Sequence, residues 1–337
     1  MRELIISQNE AGQRFDKLLH KYLKNAGTSF LYKMLRKKNI VLNDKKADGK
    51  EILQLGDSVK IYFSEETFQI MTGSQPSADC AKKASQEKPA ALDTAFQKYK
   101  KTFVKSIVYE DEHLLLLNKP AGWLSQPDGS SVASVNDLCL AYLTEQGKLT
   151  EKQLETFRPG IANRLDRNTS GLILFGKTLP ALQELAAGLK ARTLKKYYLA
   201  VVRGALKEPR QIDGFLTKNE RTNHVTISAV KTKDSSEIHT AYEPLISSRD
   251  FTVLKVHLIT GKTHQIRAHL ASIGHPILGD VKYGSRDFNK KYPNVHSQLL
   301  HAWKLEFPDC SDGVLGACSN RTFTAEPPES MQPFLAE

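Results

Sequence analysis

The sequence predicts an α+β protein in two unequal folded parts joined by a linker, and three observations carry that prediction. From Ile107 onward strand patterns dominate with few helical crossovers, which favours a largely antiparallel mixed sheet. Ahead of residue 64, two adjacent amphipathic helices run into short strands, enough for a small α+β domain at the N-terminus. Between these regions, residues 65–104 hold mostly Ser, Gln, Ala, Lys and Pro with almost no apolar period, and so long a loop is out of place inside one compact domain. The expected organisation is 1–64, a flexible linker over 65–104, and a larger domain over 105–337, a division that suits a chain of 337 residues.

Each element has a local reason. In FDKLLHKYL, Phe15, Leu18, Leu19, Tyr22 and Leu23 fall at the spacing of one helix face. A second helix follows in SFLYKMLRKK, with Thr28 or Ser29 as its cap and Leu31, Met34 and Leu35 turned inward. IVLN, the turn DKKADGK and LGDSVKIYF then read as short strands around a turn. The stretch ALDTAFQKYKK near the end of the linker carries a marginal helical pattern and is left unassigned, because isolated helices of this length are weak in water. In the larger domain IVYED, HLLLLNKPAG, GLILFGK, KKYYLAVVRG, HTAYEPLI and DFTVLKVHLIT read as strands, while LPALQELAAGLKAR and KTHQIRAHLASIG read as helices.

Composition excludes several classes. Hydrophobic residues are 40% and charged residues 25%, ordinary for a globular chain, and no apolar run approaches the roughly 20 residues that span a bilayer. The N-terminus MRELIISQNE shows no export signal, so a cytoplasmic protein is expected. Cys80, Cys139, Cys310 and Cys318 are scattered without a C-x-x-C pair and read as inert thiols. No phosphate loop or Gly-x-Gly-x-x-Gly phrase is present. His264 and His269 are five apart, off any shared helix face, so no zinc site is expected there. The chemistry therefore falls to side chains, with no metal and no cofactor.

A formal net charge of +11 points to a polyanionic partner. Residues 12–63 alone hold twelve Lys and Arg against five Asp and Glu, and Lys33, Arg36, Lys37, Lys38, Lys45 and Lys46 form their exposed basic edge. The phrase RLDRNTSG raises a different question, since it sets Asp166 between Arg164 and Arg167. Such an acid is either a solvated loop charge or a carboxylate held ionised for work.

Two resemblances bear on that choice. GQRFDKLL, TSFLYKMLRKKNIVLND and LGDSVKIYF match, in order, the S-four-type RNA-binding module named after ribosomal small-subunit protein four, with Asp44 where that family often has Gly. NKPAGWLSQP, RLDRNTSGLILFGKT, KKYYLAVVRG, TGKTHQIRAHLASIGHPILGD and SQLLHAWKLEFP, spread over Ile107 to Pro333, resemble the RluA-type pseudouridine synthases. Asn163 and Asn168 depart from the His and Asp that many members carry. The resemblance implies an RNA-modifying isomerase of the pseudouridine synthase fold that works without a cofactor. A catalytically silent RNA-binding or ribosome-assembly protein of the same fold is the alternative.

The resemblance also implies roles. Asp166 is the expected catalytic carboxylate, either adding to the anomeric carbon or starting an elimination at the neighbouring ribose carbon. Arg267 is its expected guanidinium partner, sharing a helix face with His264 and Ala271 while Ile266 and Leu270 pack behind. Tyr198, which the K-x-Y-L-A pattern selects over Tyr197, is expected to stack on the everted base, with its hydroxyl assisting proton removal. Arg164 is expected to fill the gap left in the RNA, Arg167 to meet phosphate, and His264 to touch substrate. Lys119 and Pro120 are expected to brace a strand end. RNA is the expected partner, ribosomal RNA over transfer RNA, and the chain is expected to act as a monomer.

Overall fold

The computed structural model describes residues 1–7, 10–73 and 89–336. Cys80 and residues 74–88 of the expected linker lie outside the described residues. Two compact units divide the chain: residues 1–101 with 137–160 and 176–183 form one, and residues 102–136, 161–175 and 184–337 form the other.

In the first unit, helices Phe15–Tyr22 and Thr28–Arg36 pack beside a four-stranded sheet ordered Arg2–Ile5, Ser58–Ile61, Ile40–Leu42, Lys45–Lys46. The apolar faces read from the sequence are the buried ones: Phe15, Leu18, Leu19, Leu23, Leu31, Met34 and Leu35 join Ile40, Val59 and Ile61 in a single core. Each such side chain contributes roughly 1.5–3 kcal/mol on burial, so tertiary packing, and not propensity, holds helices of eight and nine residues together. Two details differ from expectation. Gly27, not Thr28 or Ser29, is the N-cap of the second helix, and Thr28 is already helical. Arg2–Ile5 adds a strand that its short polar-rich pattern does not announce; it gains its ladder from Ser58–Ile61. Asn43 and Asp44 both have positive φ in the two-residue turn after Ile40–Leu42, a conformation Asn and Asp tolerate, which accommodates Asp44 in place of Gly.

Part of the expected linker is ordered as helix: Glu65–Thr72 and Pro89–Lys105. The marginal pattern of the second is rescued by partners that are remote in sequence, since Phe96 packs against Tyr142 and Gln97 and Lys100 bind Glu145. Tyr142 and Glu145 lie on Val135–Glu145, a helix the strand-dominated reading passes over. Buried Glu10 also binds Thr156, and Gln183 donates to the Gly12 carbonyl. These contacts explain why segments from the middle of the chain group with its beginning.

The second unit is built on an 11-stranded sheet. Its path runs His224–Ser228, Arg210–Asn219, Ser236–Ser247, Phe251–Leu258, Lys195–Arg203, Leu300–Glu306, Ser170–Gly176, Leu114–Lys119, Ile107–Glu110, with Thr322–Thr324 and Gly160–Ile161 attached to it. The sheet is mixed and largely antiparallel; Ser170–Gly176 runs parallel to Leu300–Glu306. SGLILFG is buried along its whole length, as an uninterrupted apolar run inside a sheet requires. Arg210–Asn219, His224–Ser228 and Leu300–Glu306 are additional to the expected strands; in the first, Gly214 and charged residues interrupt an alternation that Ile212 and Leu216 carry alone.

Candidate active site

The loop that carries Asp166 is fixed from several sides before any charge is considered. Thr169 N–H closes a turn onto the Asp166 carbonyl at 3.0 Å. Ser125 Oγ donates to the Leu165 carbonyl at 2.7 Å and accepts from Leu165 N–H. Asn163, where many relatives in the resembling family carry His, bridges to Leu172 and Leu174 and so ties the loop to its own outgoing strand. Gly171, at φ 110, lies so close to the neighbouring strand that a Cβ there would sit 2.3 Å from the Ala302 carbonyl oxygen. Beside it, Ser170 hydrogen-bonds His301 Nδ1 at 2.9 Å, and His301 Nε2 reaches the Ala325 carbonyl. Burial pulls the His301 pKa down to about 4, so the ring is neutral, accepting from Ser170 and donating to Ala325.

Lys119 is a brace, as expected. Its buried Nζ donates to the carbonyls of Pro120, Trp123 and Arg167 at 3.0, 2.9 and 2.9 Å, joining the NKPAGW segment to the Asp166 loop. Burial lowers its pKa to about 7 while the Asp166 charge opposes that shift. Three carbonyl acceptors call for three N–H donors, which only the ammonium supplies, so the charged form fits this site.

Asp166 and Arg267, 101 residues apart, meet: Arg267 Nη1 donates to Asp166 Oδ2 at 2.7 Å. The guanidinium is also gripped from behind, with Nε and Nη2 donating to Asp280 Oδ2 and Oδ1 at 2.7 and 3.0 Å. Side-chain exposure falls from 26% at Asp166 to 7% at Arg267 and 0% at Asp280, so the row opens to solvent at the Asp166 end. Burial lowers the Arg267 pKa, but the two carboxylates outweigh it and hold the guanidinium charged. Burial likewise raises the Asp280 carboxyl, yet Arg267 and the N–H groups of Tyr283 and Lys282 bring it below the usual carboxylate range. The Arg267 guanidinium also stands 5.2 Å from the Tyr283 ring centroid.

His264 reaches the same place by another route than expected. The helix is Gln265–Ser272, and His264 is its N-cap in a left-handed conformation at φ 52, so it does not share a helical face with Arg267. Ile266 and Leu270 pack inward as expected. His264 Nε2 lies 3.9 Å from Asp166 Oδ1, and Nδ1 is 3.0 Å from the Tyr283 hydroxyl, which accepts from Val225 N–H. Tyr283 can then donate to Nδ1, which assigns the proton to Nε2, facing Asp166. Burial, with Arg267 and Lys282 nearby, lowers the His264 pKa against the pull of Asp166 and favours the neutral ring.

Tyr198 sits in Lys195–Arg203 opposite Val256 and Ala302 and is buried; Tyr197 turns to the other face, where it stacks on His257. Burial and then the Asp166 charge push the Tyr198 phenol well above its ordinary pKa. The phenol is therefore protonated at physiological pH.

Arg164 is exposed and makes no hydrogen bond or ion pair among the described residues. Arg167 is exposed too, but Nε donates to the Gly122 carbonyl while Gly122 N–H returns to the Arg167 carbonyl. In the first unit, Lys33, Arg36, Lys37, Lys38, Lys45 and Lys46 are all exposed, and none joins an ion pair among the described residues. Asp280 and Tyr283 are the site residues that sequence reasoning passes over. GHPILGD was legible as a phrase, but nothing in it says that its acid backs the arginine.

Residues 113–272 match the family described as RNA pseudouridylate synthase. The chain is 31% identical to ribosomal large subunit pseudouridine synthase C of Vibrio cholerae over 90% of its own length and 87% of that protein's. It is 30% identical to ribosomal large subunit pseudouridine synthase C of Escherichia coli K12, again covering 90% of this chain and 87% of the other. Among solved structures, human RNA pseudouridylate synthase domain containing 4 shares the fold with a TM-score of 0.55 and 18% identity, over 72% of this chain and 96% of that one.

Proposed function

The chain belongs to the RluA-type RNA pseudouridine synthases, and from that premise we propose that it isomerises particular uridines of large-subunit ribosomal RNA with Asp166 as the catalytic carboxylate. The reaction moves uracil from an N-glycosidic to a C-glycosidic attachment. It needs no redox step and no net water, so a carboxylate, a guanidinium and a phenol suffice without metal or cofactor. The names of the relatives support large-subunit ribosomal RNA as the substrate.

The observation that carries the assignment is the position of Asp166 at the open end of a charge row whose inner members are buried. Addition at the anomeric carbon and elimination at its neighbour both start from an ionised acid. Arg267 favours that form and aims the carboxylate through Oδ2, which leaves Oδ1 for the sugar. The target base must leave its stack to reach this depth. Tyr198 supplies the stacking face, worth roughly 1–3 kcal/mol per base, and a neutral hydroxyl donor. His264 presents Nε2–H to substrate atoms beside Asp166, Arg164 fills the gap in the RNA, and Arg167 contacts phosphate. The basic edge of the first unit adds sequence-independent affinity through an S-four-type mode. The protein works as a monomer in the cytoplasm; among the described residues no helix is long and apolar enough to cross a membrane.

The test uses the full chain, an unmodified large-subunit ribosomal RNA transcript, and mass-spectrometric mapping of pseudouridine. Wild type should convert uridine, whereas Asp166→Ala and Asp166→Asn should not, with RNA affinity kept within about twofold. Equal conversion by the variants overturns the site. Free uracil in the product would mean hydrolysis, and RNA binding without conversion would mean a silent binding protein.

A further inference from the structure

Lys119 shows how this protein satisfies a buried ammonium from within, since three carbonyls take its three N–H donors. Lys196 has no such set. Its side chain is half-buried and makes no hydrogen bond or ion pair among the described residues. Across the strand pair it meets Leu305, which is apolar. Glu306, the acid of that neighbouring strand, lies opposite Lys195 and turns to the other face, where Tyr197 and Lys304 already donate to its two oxygens. Burial, with no carboxylate to oppose it, lowers the Lys196 pKa. An ammonium withdrawn from water and left unpaired is costly, and an arriving anion offsets that cost.

The position of Lys196 selects the anion. Side chains two apart on a strand share a face, so Lys196 stands on the face of Tyr198, about 7 Å along the strand from it. The turn that leads into His264 and Arg267 runs beside the ammonium: a Cβ on Gly261 would lie 3.2 Å from Lys196 Nζ, and glycine leaves that space clear. A base stacked on Tyr198 brings the phosphates of its own nucleotide to a comparable distance from the ring. A lysine is a compact point charge with three donors and no acceptor, which suits a phosphate oxygen. We propose that Lys196 is a phosphate ligand: its ammonium binds the backbone phosphate adjoining the everted uridine and anchors that nucleotide beside Tyr198 and Asp166. The inference rests on Asp166 and Tyr198 forming the uridine site.

The experiment uses full-length wild type and Lys196→Met, which keeps the apolar stem, with a short synthetic RNA carrying the uridine mapped by the conversion assay. The phosphate on either side of that uridine is replaced, one at a time, by a neutral methylphosphonate behind a 2′-O-methyl ribose, and the control RNA carries the same ribose with an ordinary phosphate. Lys196→Met should bind the control RNA about tenfold more weakly, the worth of one charge-assisted hydrogen bond, with the log–log salt slope lower by about 0.7. One of the two methylphosphonates should weaken wild type by a similar factor and leave the variant unchanged. Urea unfolding should find the variant at least as stable as wild type, since it loses an unpaired half-buried charge. Affinity of the variant within twofold of wild type overturns the proposal, and so do methylphosphonate effects that simply add to the substitution at both positions. A variant that is less stable or does not fold also overturns it, because the ammonium then serves the fold. If Asp166→Ala converts uridine as well as wild type does, the underlying site reading fails instead.

Discussion

Replacing Arg267 by Met removes the guanidinium while keeping most of the apolar stem, and the structure sets both the size of the effect and its pH dependence. Asp280, with no side-chain exposure, would keep only the N–H groups of Lys282 and Tyr283. Breaking a buried pair in this way destabilises by roughly 3–5 kcal/mol, a large part of a typical stability of about 5–15 kcal/mol. Asp166 is left out of that figure because water reaches it. In the wild type the folded Asp280 carboxyl lies below its ordinary value, so its contribution is present above the unfolded pKa of about 4 and is lost as pH falls through the folded value. In the Met variant burial acts with less opposition, and the folded pKa rises above the unfolded one. The penalty then stands at neutral pH and is relieved as acid protonates the carboxyl. Urea unfolding of both proteins, followed by circular dichroism, should give a gap of roughly 3–5 kcal/mol near pH 7.5 that shrinks markedly towards about pH 4.5. Adding Asp280→Asn to the Met variant should recover most of the loss. A gap below about 1 kcal/mol at neutral pH, or one that widens on acidification, would refute the reasoning about this buried pair.

Other expectations follow from the same geometry. His301 titrates near 4 when folded and near 6.5 when unfolded, so the unfolded chain binds more protons between those values and stability falls as pH drops through that window. The loss is about 3 kcal/mol, read by unfolding curves of wild type against His301→Gln, which should lack most of that pH dependence. Gly171→Ala combines a strained φ with a Cβ driven into the Ala302 backbone, so a loss above roughly 2 kcal/mol and a displaced Asp166 loop are expected from melting and turnover measurements. Tyr198→Phe should keep RNA affinity, whereas Tyr198→Leu should weaken it by about 1–3 kcal/mol in binding titrations. Neutralising Arg36 and Lys37 should flatten the salt dependence of RNA binding, the log–log slope falling by about one for each phosphate no longer neutralised, without changing which uridines are modified.

How much of this was legible beforehand depended on the range of the signal. The helix faces Phe15–Leu19 and Leu31–Leu35 could be read because a buried stripe repeats within a single turn or two, and the buried run SGLILFG because an interior strand has no polar face. The helix Pro89–Lys105 could not, since its own pattern is marginal and its partners Tyr142 and Glu145 are more than forty residues away. His264 illustrates the same limit within a few residues: spacing alone put it on a helix, but a left-handed backbone makes it the cap and turns it to Asp166 and Tyr283.

The sequence by itself determined the ingredients: a basic N-terminal segment, a strand-rich larger domain, and an acid placed between arginines in a phrase that a family shares. Tertiary structure decided the arrangement that makes those ingredients chemical. Parallel pairing of Ser170–Gly176 with Leu300–Glu306 and antiparallel pairing of the latter with Lys195–Arg203 put the Asp166 loop and Tyr198 on the two strands that flank Leu300–Glu306. The tight turn at Gly279 sets Asp280 behind the arginine that faces Asp166. Local pattern reports which face of a segment avoids water, whereas the partner of a buried charge is fixed by strand order and loop closure, which no window along the chain contains.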